Sequence, residues 1–352
     1  MTKKVAVIGA TGLVGKELIK ILEQRIPSYS AIKLYPLASV DGRYCSYKSE
    51  TIEIKSFDSF LDELPSMDFI FNTANNHTAR IIDDILKRIN GRPNSKLPIF
   101  IDSSSAFRKE PSVPLVIPEI NKTAIQDSRI IASPNCSTSI VAMAINKLVR
   151  NYKIERITAT TYQAASGGGK ELLNKLMTQH NGIRFSSQES LKKLSKKYIV
   201  GRLNDERQYS MNVYTHESPI CVKTKYSEEE LKMNHELQKI FNTEIQVSAT
   251  CVRVPTIKSH AVSLDIEFNH ETYPSVSDAI ELISSQQGVR IINDIRNSKF
   301  PEPILSDDLD EILVGRIRKD LYRDNQMSMF ISGDQLRKGA ALNAVQIMEA
   351  VL

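Results

Sequence analysis

Cys136 stands in the run Ser133-Pro134-Asn135-Cys136-Ser137-Thr138, directly after the apolar stretch Arg129-Ile130-Ile131-Ala132. A thiol just past a strand, with Pro and Asn before it and Ser and Thr after it, reads as a strand-to-helix elbow. The helix expected over Ser139–Ala144 would aim its first backbone amides at the sulfur, and that field favours thiolate, the nucleophilic form. The bland alternative is a buried core cysteine, the commonest fate of a free thiol. Further along, Arg253 and His260 flank a turn between two expected strands, Ser248–Pro255 and the alternating Ala261–Phe268. A histidine so placed can exchange protons near neutral pH, although a lone histidine is more often structural. Covalent catalysis at an aldehyde carbon needs a thiolate, a proton acceptor and a hydride acceptor together.

The N-terminus offers a place for the hydride acceptor. Lys4–Ile8 is a short apolar strand that runs into Gly9-Ala10-Thr11-Gly12-Leu13-Val14-Gly15, and an amphipathic helix follows through Leu18, Ile21 and Leu22. Gly9 allows the tight turn, Gly12 lets backbone approach a pyrophosphate, and Gly15 permits close helix–strand packing. A glycine triplet alone is weak evidence, but strand before and helix after favour dinucleotide binding over the alternative of a structural turn. Further strands are expected at Ile32–Ala38, Asp68–Asn72 and Pro98–Asp102, alternating with polar or amphipathic segments. That alternation implies a parallel, doubly wound α/β sheet of Rossmann-like type, with Thr73 and Ser103 to Ser105 at the ligand-binding strand ends. After the second strand come Ser39, Asp41 and Arg43. An acidic group there suits the ribose hydroxyl of NAD, whereas Arg and Ser suit the 2'-phosphate of NADP, so spacing leaves both open.

In the second half, Ile154–Gln163 reads as a strand ending in the glycine run Ser166-Gly167-Gly168-Gly169. Such a run either lets backbone approach a ligand or is a flexible loop. Ser227 caps an expected helix that carries Glu229 and Lys232 on one face, a pairing equally common on ordinary surfaces. A last helix, with Leu342, Val345 and Leu352 on one stripe, should pack back on the first domain.

With 352 residues the chain suffices for two domains. No stretch approaches the roughly 18 apolar residues of a membrane span. Four scattered cysteines show neither a zinc spacing nor a disulfide framework, so no metal is expected. The net charge of +5 owes part to the lysines of Leu191–Lys197, read as a solvated helix face rather than a nucleic-acid patch. Met1–Lys4 leads straight into a strand and is too short for a signal peptide. These features imply a reduced, cytoplasmic protein with neither membrane nor nucleic acid as partner.

Eight runs together resemble the aspartate-β-semialdehyde dehydrogenase family over nearly the whole chain: Gly9–Gly15, Ser104–Arg108, Val116–Asn121, Pro134–Thr138, Gln163–Gly169, Glu229–Lys232, Arg253–Pro255 with His260, and Asp334–Ala341. The resemblance implies a second, α+β domain of glyceraldehyde-3-phosphate-dehydrogenase type for catalysis and dimerisation. It places the dinucleotide-binding domain at 1–135, completed by 335–352, and the catalytic domain at 136–334. It implies Cys136 as nucleophile, His260 as general base and Gln163 as the group that orients the acyl-thioester. Arg253 would grip the substrate α-carboxylate and Glu229 its amino group, while Arg108, Asn135 and Lys232 hold phosphate. Gly9, Thr11, Gly12, Leu13, Val14, Ser39, Arg43, Thr73, Ser166, Gly167 and Gln335 would line the nicotinamide cofactor, NADP with NAD as the alternative. The implied reaction reduces L-4-aspartyl phosphate to L-aspartate 4-semialdehyde, with phosphate as co-substrate in reverse, in a homodimer or tetramer that feeds lysine, threonine and methionine synthesis.

Two departures stand out: Ser259 replaces the glycine the family commonly has before its histidine, and Asp41 takes the place usually held by Arg. The stretch Gln179–Arg207 matches no motif. N-acetyl-γ-glutamyl-phosphate reductase shares the chemistry, but its nucleophile usually follows Gly and precedes Tyr-Pro. A non-catalytic scaffold would not need Cys136, Gln163, Arg253 and His260 intact.

Overall fold

The computed structural model describes residues 2–25, 32–39, 43–90, 97–182 and 207–352. Asp41, the lysines of 191–197 and most of the unassigned 179–207 stretch lie outside the described residues.

Two seven-stranded sheets organise the chain. The first contains β1 (Lys3–Ile8), β2 (Ile32–Ala38), β3 (Arg43–Tyr47), β4 (Glu50–Ser56), β5 (Phe69–Asn72), β6 (Ile99–Asp102) and β7 (Ile130–Ala132), in the order β3-β4-β2-β1-β5-β6-β7. Its strands run parallel except for the edge strand β3, which pairs antiparallel with β4. Helix α1 (Leu13–Arg25) packs on one face, and α2 (Asn76–Ile89) on the other. Both faces of β1 are therefore apolar: Val5 and Val7 join α1, while Ala6 and Ile8 join the α2 side.

The second sheet contains β8 (Ile154–Gln163), β9 (Tyr214–Thr215), β10 (Gln246–Arg253), β11 (His260–Phe268), β12 (Val289–Ile291), β13 (Ile312–Lys319) and β14 (Gln326–Gly333), in the order β12-β13-β14-β11-β8-β10-β9. It is mixed: β8 runs parallel to β10 and antiparallel to β11. The segment from Arg253 to His260 is thus not a turn between neighbouring strands. It crosses the end of β8, which puts Arg253, Gln163 and His260 side by side at one end of these strands.

The remaining α-helices among the described residues are α3 (Pro118–Asn121), α4 (Cys136–Asn151), α5 (Gly169–Gly182), α6 (Glu228–Phe241), α7 (Val276–Ser284), α8 (Pro303–Ser306) and α9 (Leu342–Val351). Helix α4 is buried along almost its whole length, with Ile140, Val141, Met143 and Ile145 in a core shared with β8, β11 and β14. Helix α9 returns to the first sheet, where Leu342, Val345 and Ile347 pack with Val5, Val7 and Leu18. Leu352 was expected on that stripe. It lies past the helix end and is 59% exposed.

Candidate active site

Cys136 opens helix α4 directly after β7, as the elbow requires. Asn135 is the N-cap: its Oδ1 accepts from the amides of Ser137 (3.0 Å) and Thr138 (3.3 Å). Its Nδ2 donates to Glu229 Oε1 at 2.8 Å, and its own amide donates to Glu236 Oε2 at 2.6 Å. On the far side, a Cβ at Gly339 would lie 2.9 Å from the Cys136 Cβ. A short π-helical turn at Arg337–Ala341 therefore packs its glycine against the nucleophile.

The surroundings of Cys136 favour the thiol over the expected thiolate. Burial first, and the Glu229 carboxylate second, push the Cys136 thiol up to about 11. Arg108, Arg253 and the Ser137 amide pull the other way without winning.

Helix α6 supplies acidic and basic groups from one face. Ser227 and Glu230 form a capping box that starts it, and Glu229, Lys232 and Glu236 follow at helical spacing. Lys232 Nζ donates to Glu229 Oε2 at 3.1 Å. Burial opposes charge on Glu229, yet Lys232, His216 and the Asn135 bond outweigh it and hold the carboxyl at about 2, so it is anionic. Gln163, at the end of β8, donates to Ser137 Oγ at 3.0 Å and lies 3.4 Å from Glu229 Oε1. Arg108 spends single donors on Ser133 O, Ser103 O and Glu236 Oε1, at 2.9, 2.7 and 3.1 Å.

His260 is fully buried, and burial, with Arg253 adding to it, pushes the ring down to about 3. It is neutral. The Ala164 amide donates to its Nδ1 at 3.1 Å, which leaves the ring proton on Nε2. That atom has no hydrogen-bond partner and lies behind Gly167, where an added Cβ would come within 2.9 Å of it. A cysteine–histidine pair already poised for proton transfer is therefore not what the structure holds. Ser259 just before it has φ of 65°, a backbone region that favours glycine, and its amide donates to Gln335 Oε1 at 2.7 Å.

Most of these groups line one cleft of about 470 Å³, although buried His260 and Glu236 are not among its walls. Its walls bring together Arg108, Asn135, Cys136, Gln163, Glu229, Lys232 and Arg253 with Gly12, Leu13, Val14, Thr73, Ser166, Gly167 and Gln335. The glycine turn fits a dinucleotide phosphate: Gly9 sits at φ of 85°, a Cβ at Gly15 would overlap Gly9 O, and the first turn of α1 carries no acidic side chain. Thr11 and Arg43 instead line a neighbouring cavity of about 550 Å³ with Lys16, Lys20 and Lys170. Ser39 is exposed and lines neither cavity. Ser166 and Gln335 are bonded to each other, so part of their polarity is structural.

Sequence reading missed Glu236, His216, Glu217 and Lys170. Glu236 was within reach, since it follows Glu229 by seven residues on the same face of α6. Nothing in their spacing marks the other three.

Comparison with known proteins decides the family. A semialdehyde dehydrogenase NAD binding domain model matches residues 4–128, and a semialdehyde dehydrogenase dimerisation domain model matches 145–338. The chain belongs to the semialdehyde dehydrogenase family. Within it, the chain is 35% identical to aspartate-semialdehyde dehydrogenase of Prochlorococcus marinus, over 99% of this chain and 95% of that one. It is also 35% identical to the Synechocystis enzyme of the same name, over 99% and 97%. Among solved structures, aspartate semialdehyde dehydrogenase II of Vibrio cholerae complexed with ASA superposes with a TM-score of 0.83 at 28% identity, covering 100% of this chain and 98% of that one.

Proposed function

We propose that this chain is an aspartate-semialdehyde dehydrogenase that interconverts L-4-aspartyl phosphate and L-aspartate 4-semialdehyde through a thioester on Cys136. The observation that carries this reading is a single cleft in which a thiol at a helix N-terminus faces both a dinucleotide turn and a set of charged groups suited to an amino-acid phosphate. In the biosynthetic direction Cys136 Sγ attacks the acyl carbon, the carbon–oxygen bond to phosphate breaks, and phosphate leaves. The glycine turn would hold a nicotinamide dinucleotide, which would supply the hydride needed to convert the thioester to aldehyde and free the sulfur. This places the reaction in lysine, threonine and methionine synthesis, and we assign it to the cytoplasm.

The residues divide by charge. Arg253 is assigned to the α-carboxylate and Glu229, anionic despite burial, to the α-ammonium. Arg108, Lys232 and the Asn135 amide face the phosphate. Gln163 orients the acyl carbonyl. His260 serves as the acid/base group. It is neutral, as a base must be, but its tautomer has to switch by release of the Ala164 amide before Nε2 accepts a proton. For the cofactor we favour NADP. Arg43 is exposed beside Lys16, Lys20 and Lys170, a basic setting for a 2'-phosphate. The matched dimerisation domain supports a homo-oligomer, dimer or tetramer.

The names of the curated relatives favour this reading over N-acetyl-γ-glutamyl-phosphate reductase. The charged, fully assembled cleft favours an enzyme over a scaffold. Aspartate semialdehyde, phosphate and NADP or NAD, followed at the nicotinamide absorbance, test it. Phosphate-dependent turnover, faster with NADP, is expected. Arg43→Ala should cut NADP efficiency about tenfold while sparing NAD. No turnover with aspartate semialdehyde would overturn the assignment, and faster NAD use would overturn the cofactor.

A further inference from the structure

Arg253 already has partners within the chain. Its Nη2 and Nε donate to the two carboxylate oxygens of Glu217, at 2.6 and 3.3 Å. Nη1 donates to Ala164 O at 3.0 Å, and Nη2 also meets His216 Nε2 at 2.8 Å. The Ser218 amide points at His216 Nδ1 at 3.2 Å. A neutral ring accepts at only one nitrogen, and the shorter contact to the cation takes it. Of the five N–H groups of a guanidinium, one remains. A substrate carboxylate needs two in parallel. Glu217 therefore sits in the fork where the substrate α-carboxylate belongs.

The two partners differ in freedom. The Arg253 side chain is 3% exposed, whereas that of Glu217 is 37% exposed and lines the cleft. Burial works against the charge on Glu217, but the guanidinium prevails and keeps the carboxyl ionised. Glu217 lies in the short segment between β9 and α6, 36 residues from Arg253 in sequence.

We propose that Glu217 is a displaceable carboxylate that makes the site select α-amino acids: the incoming α-carboxylate takes its place on Arg253, and the released Glu217 joins Glu229 in receiving the α-ammonium. This rests on the assignment of Arg253 to the α-carboxylate. Exchange of one carboxylate for another on the same guanidinium is close to balanced. What differs is the fate of the displaced one. The α-nitrogen of an amino acid is bonded to the carbon that bears the carboxylate, so rotation of the glutamate side chain brings it within reach. A ligand without the ammonium leaves Glu217 half-buried and unpaired in a cleft that also holds the anionic Glu229, and is penalised. Glu229 alone serves the ammonium less selectively, because Asn135 and Lys232 already occupy its oxygens.

The test compares aspartate 4-semialdehyde with succinate semialdehyde, which lacks only the amino group, by kcat/KM in the oxidative direction. Wild type should prefer the former. Glu217→Gln should reduce that preference at least about tenfold, mainly through a lower KM for succinate semialdehyde. Glu217→Ser should do the same, and Glu217→Asp, which keeps the charge, should retain most of the preference. Melting temperatures confirm that each variant is folded. A ratio within about twofold of wild type in both neutral variants, or equal losses for both substrates, would overturn the proposal. Failure of the underlying assignment shows separately: Arg253→Lys would then leave the KM for aspartate semialdehyde unchanged.

Discussion

At the scale of single residues, Cys136 shows that a helix N-terminus alone does not make a thiolate. The Ser137 amide lowers its proton affinity, but burial and the anionic Glu229 outweigh the amide and both arginines. With the thiol pushed up to about 11, the protonated form is favoured at neutral pH. Iodoacetamide labelling of Cys136 in the ligand-free protein, followed by peptide mass spectrometry, should therefore keep accelerating past pH 10. Glu229→Gln removes a charge that raises the thiol and should move that curve to lower pH. A labelling rate already level below pH 8 would contradict the account.

At the scale of elements, the elbow depends on the cap of α4. Asn135 satisfies two amides of the first turn and holds Glu229. Asn135→Ala should cost about 1–2 kcal/mol of stability in urea unfolding and more in activity than stability explains, since Cys136 loses its fixed position. Unchanged stability would show that the cap is not what sets the elbow. The strands that hold the site, β1, β2, β8 and β11, were legible because buried strands write their pattern locally. The β3–β4 hairpin was not. Its turn places Lys48 and Ser49 at φ of 49° and 63°, so none of the glycine or asparagine that usually announces such a turn is present. The Arg253–His260 segment was read as a simple turn because the insertion of β8 between β10 and β11 is a long-range pairing that no local pattern records. Much of the candidate site was legible for the same reason that β1 was: Cys136, Gln163 and the glycine turn sit at the ends of well-marked elements. Glu217 was invisible because its meaning lies entirely in a partner brought to it by the fold.

At the scale of the molecule, the candidate cleft draws its walls from both halves of the chain, with α4 in the core that the second sheet shares with part of the first and α9 packed on the first sheet. Buried Lys338 ties Glu119, Asn343 and Gln346 into one network, and Arg337 joins Glu17 to Asp310. No described helix is long and apolar enough to cross a membrane. Leu321 and Tyr322, in the turn between β13 and β14, are 88% and 92% exposed, which suits burial against a second copy. Light scattering should give at least twice the 39.6 kDa of one chain, and Leu321→Asp should raise the monomer fraction. A wild-type mass of one chain would contradict the oligomer. The central claim, a thioester on Cys136, is tested most directly by rapid mixing with aspartate semialdehyde and NADP in the absence of phosphate. The account predicts a burst of about one reduced nicotinamide per active site, a matching acyl mass on the Cys136 peptide, and no burst in Cys136→Ala. A full burst in Cys136→Ala, or steady phosphate-free turnover with no acyl mass in wild type, would contradict it.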